Sequence, residues 1–314
     1  MYDMTLNDVI GPWKKHKERQ VKKTSLATYL VHWYNHIKPD LGDTLLEDLT
    51  KKHIMSWLYS KMDSGISKKG CVDILIVLKM LMRYAAEEFD VLVPDTNWKM
   101  IWPTDNMQVE KKIERYTEAE SKKIAAYVKE NPQPRNIAIL IALCTGFRIG
   151  EICGLKWEDI DINNKLIHVK RTIERYYDYE SHTTFIVTST PKTASSNRSV
   201  PIVQQILPML KNFKKAYRED YYVCTCTEKP TEPRTLRNYY RDFILKKVGL
   251  DHCIKFHGLR HTFASTLIEN KVDVETASVI LGHADVTTTM NIYVHPSEDA
   301  KRDAVKLGLK NFFK

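Results

Sequence analysis

The sequence predicts a mainly α protein with a small antiparallel β-sheet, built as a helical N-terminal domain and a larger second domain. Three observations carry this. Apolar residues recur at helical spacing through residues 5–92 and again after residue 117; the period changes to two over residues 159–202; and a Pro- and Trp-bearing stretch with neither period, residues 93–114, separates the helical regions as a linker. At 314 residues the chain is long enough for two cores, and a hydrophobic fraction of 43% with 28% charged residues excludes wholesale disorder.

The first domain, residues 1–92, reads as four amphipathic helices. Leu6, Val9, Ile10 and Trp13 begin the first, which runs into Lys14, Lys15, Lys17 and Arg19. Ser25 or Thr24 can cap the second, carrying Leu26, Tyr29, Leu30, Trp33 and Ile37 and stopped by Pro39 and Gly42. The third starts near Thr50 and buries Ile54, Trp57 and Leu58; Ser67 caps a long fourth with Val72, Leu75, Leu78, Leu81, Met82 and Ala85. Trp98 and Trp102 in the linker are expected to dock on a neighbouring surface.

In the second domain, residues 115–314, Thr117-Glu118-Ala119-Glu120 is a capping box, and Ile137 to Cys144 is a strongly apolar, central helix. Arg148 follows directly in Thr145-Gly146-Phe147-Arg148. Burying an unpaired guanidinium costs several kcal/mol, so either Glu151, one turn along, or an anion must answer it. Ile160 to Val169 reads as a hairpin around Asn163-Asn164, and residues 174–184 as an extended loop. Phe185-Ile186-Val187 and Arg198-Ser199-Val200-Pro201-Ile202 flank a β-turn carrying Lys192, whose flexible stem either swings over a substrate or faces solvent. Helices resume over residues 204–218 and 234–248.

The net charge is +9, a balance that favours a polyanionic partner, nucleic acid above all. Residues 1–110 hold 15 Lys/Arg against 15 Asp/Glu, so the excess lies in residues 111–314. Lys22, Lys23, Lys68 and Lys69 at helix starts, and Arg234, Arg237 and Arg241 along one helix, are candidate DNA contacts; each has a solvated face as its plain alternative. The six scattered cysteines read as reduced thiols, and neither a signal peptide nor a membrane-length apolar run is present, which points to a cytoplasmic protein.

The last quarter gathers His257-Gly258-Leu259-Arg260-His261, Leu281-Gly282-His283 and Tyr293. His257 and His261 share a helix face, but Gly258 stands where a zinc protease has Glu and no third ligand has the right spacing, so no metal is expected. Helical spacing sets Arg260 near His257 and away from the apolar side of Phe263, Leu267 and Ile268. His261 reads as a packed or supporting imidazole, and Gly282 ends a helix, leaving His283 in a loop.

In order and spacing, Arg148, Lys192, His257-x-x-Arg260, Leu-Gly-His283 and Tyr293 resemble the tyrosine recombinases, the phage-type integrases. The resemblance covers nearly the whole chain. It implies a SAM-like core-binding domain and a DNA breaking-rejoining catalytic domain forming a C-shaped clamp on double-stranded DNA at specific recombination sites. It implies Tyr293 as the nucleophile of a covalent 3′-phosphotyrosine, Arg148 and Arg260 on the non-bridging oxygens, and His257 and His283 on the phosphate or the tyrosine proton. Lys192 would protonate the leaving 5′-oxygen and Glu151 would orient Arg148; neither ATP nor another cofactor is needed. A tetramer on DNA, accessory DNA-bending or directionality factors, and a bacterial or phage setting near the nucleoid follow from the same likeness. The apolar stripe Ala304, Val305, Leu307, Leu309, Phe312 and Phe313 either docks on a neighbouring protomer or folds back on its own domain. Nothing before Thr5 would make the extra arm-type DNA-binding domain of some integrases; either this member lacks it or the sequence is a piece of a longer chain. Type IB topoisomerase activity and a catalytically silent DNA-binding regulator are the competing readings.

Overall fold

A computed structural model describes residues 3–103, 114–190 and 197–293, with residues 302, 305, 306 and 309 of the C-terminal region. Contacts divide the chain into two compact units: Met1–Glu110 with Arg175–Phe185, and Lys111–Glu174 with Ile186–Lys314.

The first unit is built on α1 (Leu6–Glu18), α2 (Lys23–His32), α3 (Lys38–Leu41), α4 (Lys51–Asp63) and α5 (Lys68–Glu88). Local chemistry explains most of the starts. The Asp8 carboxylate accepts the Thr5 N–H at 2.8 Å; Thr50 Oγ1 and Ser67 Oγ accept the His53 and Gly70 N–H groups at 3.3 and 3.2 Å. The start of α2 differs from expectation: its N-cap is Lys22, and neither Thr24 nor Ser25 caps it. Pro39 does not stop this helix either. A π-helical turn over Trp33–Ile37 joins α2 to α3, with the Lys38 N–H reaching back to the Trp33 carbonyl. The wider turn makes room for a proline that would clash with the carbonyl four residues earlier in a regular helix. The core holds Trp13, Trp33, Ile54, Leu78 and Met82, all at most 1% exposed. Trp98 and Trp102 pack against this core, and the Lys79 ammonium lies 3.9 Å from the Trp98 ring centroid. Residues 93–103 thus group with the helical module, although their composition is that of a linker.

The second unit opens with α6 (Glu118–Glu130), whose capping box closes at 2.8 Å from the Thr117 N–H to Glu120 Oε2. Next come α7 (Pro134–Thr145), almost wholly buried, and the short α8 (Ile149–Gly154). The strands are β1 (Ile160–Asp161), β2 (Leu166–His168), β3 (Thr172–Asp178), β4 (Thr183–Ser189) and β5 (Ser199–Pro201). β1 and β2 pair antiparallel, Ile160 opposite Ile167, and β5 adds to the far side of β2, Val200 also opposite Ile167. The apolar side chains of one register therefore meet in the core.

One expectation fails here. Residues 174–184 are not a loop, because β3 and β4 form a separate two-stranded sheet. Its tip belongs to the first unit, where Tyr179 stacks on Tyr34 at 4.6 Å and its hydroxyl donates to Asn35 Oδ1 at 3.0 Å. The strands on either side of the segment holding Lys192, β4 and β5, lie in different sheets. Lys192 itself lies outside the described residues.

The rest is helical: α9 (Leu207–Ala216), α10 (Pro233–Asp242) continued by a π segment to Val248, α11 (His257–Glu269), α12 (Val274–Leu281) and α13 (Val286–Tyr293). All six cysteines are free thiols. No helix among the described residues is long and apolar enough to cross a membrane.

Gly150 lets α8 lie directly on the start of β3. A Cβ there would strike Thr172 Oγ1 and sit 2.8 Å from the Ile173 carbonyl oxygen. Gly150→Ala is expected to cost about 1–3 kcal/mol, measured by equilibrium urea unfolding. Unchanged stability would contradict this packing.

Candidate active site

The site begins where α7 ends. Gly146 takes the left-handed conformation at φ 66°, where a Cβ would also lie 2.7 Å from Phe263 Cδ1. This turn buries Phe147 and sets Arg148 as the N-cap of α8. Its backbone N–H donates to Glu151 Oε2 at 2.9 Å and its Nη1 to Glu151 Oε1 at 3.0 Å. The expected Arg148–Glu151 pair is therefore present, but it is half of a larger arrangement.

Arg198 supplies the other half. Its Nη1 and Nη2 donate to the two Glu151 oxygens at 3.1 and 3.0 Å, its Nε donates to the Ile280 carbonyl at 2.8 Å, and its guanidinium lies 5.1 Å from the Phe147 ring centroid. Burial by itself would raise the Glu151 carboxyl; the hydrogen bonds and charge of Arg198, then those of Arg148, outweigh it and hold the carboxyl below its ordinary range.

Arg260 departs furthest from expectation. It is 1% exposed, whereas Phe263, Leu267 and Ile268 on the expected apolar side are only half-buried. Its Nη1 donates to the Gly146 carbonyl at 2.9 Å, and its buried Nη2 has no partner among the described residues. Burial and then the charges of Arg148 and Arg198 push its guanidinium down to about 9, so it remains a cation at neutral pH.

The imidazoles complete the site. Gly282 ends α12 and its carbonyl accepts from Arg148 Nη2 at 3.4 Å; beyond it, His283 Nδ1 meets Thr289 Oγ1 at 2.7 Å. Burial, followed by the surrounding cationic and imidazole groups, pushes His257 and His283 down to about 4, so both rings are neutral and each carries one N–H. Tyr293 closes α13. Its hydroxyl meets His261 Nδ1 at 2.6 Å, and burial pushes the phenol up to about 12 against the opposing pull of Arg260. His257 packs edge-on against His261, ring centroids 4.8 Å apart.

Arg148, Glu151, His257, Arg260, His283 and Tyr293 thus converge, from α8, α11, α13 and the loop after α12. Arg198 joins them without having been singled out in the sequence, and so does His261, which the sequence offers only as a packed or supporting imidazole. A signal for Arg198 existed: on a strand it shares a face with Val200 and Ile202, both buried, and a charge on an apolar face needs a partner. His261 had only its spacing from His257. Among the described residues no group of three or more His, Cys, Asp or Glu could hold a metal ion. The candidate DNA contacts are exposed: Lys22 and Lys23 at the start of α2, Lys68 and Lys69 at that of α5, and Arg234, Arg237 and Arg241 along one stripe of α10 opposite buried Leu236 and Tyr240.

The geometry gathers three guanidiniums and one glutamate beside a hydrogen-bonded phenol, on a mainly helical scaffold. The family model described as "Phage integrase family" matches residues 114–300, and "Phage integrase, N-terminal SAM-like domain" matches residues 5–62. The chain therefore belongs to the phage integrase family, the tyrosine recombinases. Similar relatives include a XerC-like tyrosine recombinase of Caldanaerobacter subterraneus, 30% identical over 97% of this chain and 82% of that protein. The ICEBs1 integrase of Bacillus subtilis is 26% identical over 85% of this chain and 72% of its own length. In fold, the chain is similar to the Tn1549 transposon integrase in complex with transposon right end DNA, with a TM-score of 0.75 at 20% identity over 96% of this chain and 99% of that one. It is also similar to a lambda integrase tetramer bound to a Holliday junction, with a TM-score of 0.63 at 20% identity over 94% and 80%.

Glu151→Gln removes the charge that two guanidiniums share. The loss expected is about 3–5 kcal/mol, read by denaturant unfolding at pH 7. A depressed carboxyl stabilises the fold above its ordinary pKa of 4.5 and loses that contribution as pH falls through the folded-state value. The difference between wild type and Glu151→Gln should accordingly shrink as pH falls below the ordinary carboxyl range.

Proposed function

We propose that this chain is a site-specific DNA recombinase that integrates or excises mobile DNA by way of a covalent 3′-phosphotyrosine. The observation that carries the chemistry is Arg260: a buried guanidinium with an unpartnered N–H, in a cluster where three arginines face one glutamate. A phosphodiester supplies the missing acceptor and charge. The oxygen of Tyr293 attacks phosphorus, forming the phosphotyrosine and releasing a 5′-hydroxyl; a 5′-hydroxyl from a second duplex reverses the step. Storing the bond in the protein removes any need for ATP.

Arg148 and Arg260 donate to the non-bridging oxygens, and Glu151 keeps Arg148 in place. His283, with Nδ1 engaged by Thr289, has its other nitrogen free to donate to the same phosphate, and His257 does likewise. Lys192 is assigned the proton for the leaving 5′-oxygen. Residues 1–92 act as the core-binding domain and residues 115–314 as the catalytic domain. Lys22, Lys23, Lys68 and Lys69 in the first and the α10 arginines in the second contact the phosphate backbone. Four protomers assemble on DNA, the C-terminal tail of each docking on a neighbour. Val305 and Leu309 of that tail are 59% and 42% exposed, as apolar groups awaiting a partner would be; Ala304, Leu307, Phe312 and Phe313 lie outside the described residues. The relatives named for integrases, and the family membership of both domains, support this reading.

The test uses nicked duplexes drawn from the DNA that flanks the chain's own gene. Wild-type protein should form an adduct that survives denaturing electrophoresis, Tyr293→Phe should form none, and Arg260→Ala should slow the adduct by about 10²–10³-fold. An adduct persisting in Tyr293→Phe would sink the nucleophile assignment. Relaxation of plasmid without any defined site would assign the chain to topoisomerase chemistry instead.

A further inference from the structure

Tyr293 holds its proton tightly, and something must take it. Burial keeps the phenol neutral well past physiological pH, and each arginine nearby is a donor with no lone pair to offer. Glu151 has both oxygens committed to Arg148 and Arg198. His283 has Nδ1 engaged with Thr289. Among the described residues the only hydrogen-bond partner of the Tyr293 hydroxyl is His261 Nδ1, at 2.6 Å.

We propose that His261 accepts the phenolic proton of Tyr293 as its oxygen attacks phosphorus, an inference that rests on Tyr293 being the nucleophile. Three features fit it for this. His261 follows Arg260 on α11, so the proton acceptor and a phosphate-binding cation share one rigid element. The edge-on ring of His257, at 88° to that of His261, limits how the acceptor can turn. Burial, and then the neighbouring Arg260 charge, hold His261 below its ordinary range, so at neutral pH the ring is unprotonated and a lone pair is available.

A neutral imidazole cannot strip a phenol of this kind in advance. The transfer instead accompanies bond formation, because the phenolic oxygen loses its basicity as it bonds to phosphorus. In that step a lone pair of the Tyr293 oxygen forms the O–P bond, the O–H proton passes to Nδ1, and an imidazolium results. The P–O5′ bond breaks with its electron pair on the 5′-oxygen, which takes a proton from the acid assigned to Lys192. In the reverse step the imidazolium returns its proton to the departing phenolate. The developing phosphorane charge stabilises the imidazolium while it exists.

The test compares single-turnover adduct formation on the nicked duplex that the wild-type chain cleaves and on the same duplex with sulfur at the scissile 5′-bridging position. Sulfur leaves without needing a proton, so it repairs defects on the leaving-group side alone. His261→Ala should be slowed about 100-fold or more on both duplexes. His261→Asn keeps a polar atom near the position of Nδ1 but cannot take a proton, and it should be as slow while shifting the duplex in a gel as the wild type does. That variant guards against a failure of folding or DNA binding in the alanine form. Lys192→Ala should be slow on the oxygen duplex and restored on the sulfur one. Adduct formation by His261→Ala within about threefold of wild type, its restoration by sulfur, or a wild-type rate in His261→Asn would each overturn the proposal. An adduct in Tyr293→Phe would overturn the nucleophile reading instead, whatever the His261 variants do.

Discussion

One buried carboxylate holds the candidate site together. Glu151 accepts from Arg148 and, through both its oxygens, from Arg198, and these groups come from α8 and from the residue preceding β5. Arg198 in turn donates to the last turn of α12, and Arg148 to the Gly282 carbonyl beyond it. Removing charges from water costs several kcal/mol each unless partners replace the hydration. The cluster is therefore tolerable only when α8, β5 and the end of α12 occupy their places together. His283, directly after Gly282, is positioned by the same constraint.

The electrostatic balance is what supports the proposed anion. Two of its guanidiniums share one glutamate, and the third has a backbone carbonyl and nothing further among the described residues. Burial, and then this surplus of positive charge, keeps His257 and His283 neutral, since a proton on either ring would be poorly solvated and would add to the repulsion. Neutral imidazoles retain both a donor and an acceptor. On the proposed reading, the fixed cations bind the phosphate and the neutral rings handle protons.

Some of this was legible in the sequence because its cause is local. Thr50, Ser67 and Thr117 cap helices through atoms three residues away, so each was found where it was expected. Pro39 was misread because the helix relieves the clash with a π turn, whose wider winding leaves no mark in the apolar spacing. The alternation of β4 and β5 was visible, but their assignment to different sheets was not, since strand pairing joins residues far apart in the chain. Arg198 is visible in the sequence only as the start of a strand, although its place on the face of Val200 and Ile202 calls for a buried partner.

What the sequence determined by itself is the set of candidate reactive groups and their order: Arg148, His257, Arg260, His283 and Tyr293, with helices and a short sheet to carry them. Their chemistry belongs to the side chains themselves. Only the tertiary structure decided that Arg260 is buried with an N–H to spare, that Arg198 balances Arg148 across Glu151, and that His261 meets the Tyr293 hydroxyl. Desolvation and hydrogen-bond partnership arise between segments that fold together from distant parts of the chain, and those contacts turn a motif into a poised site.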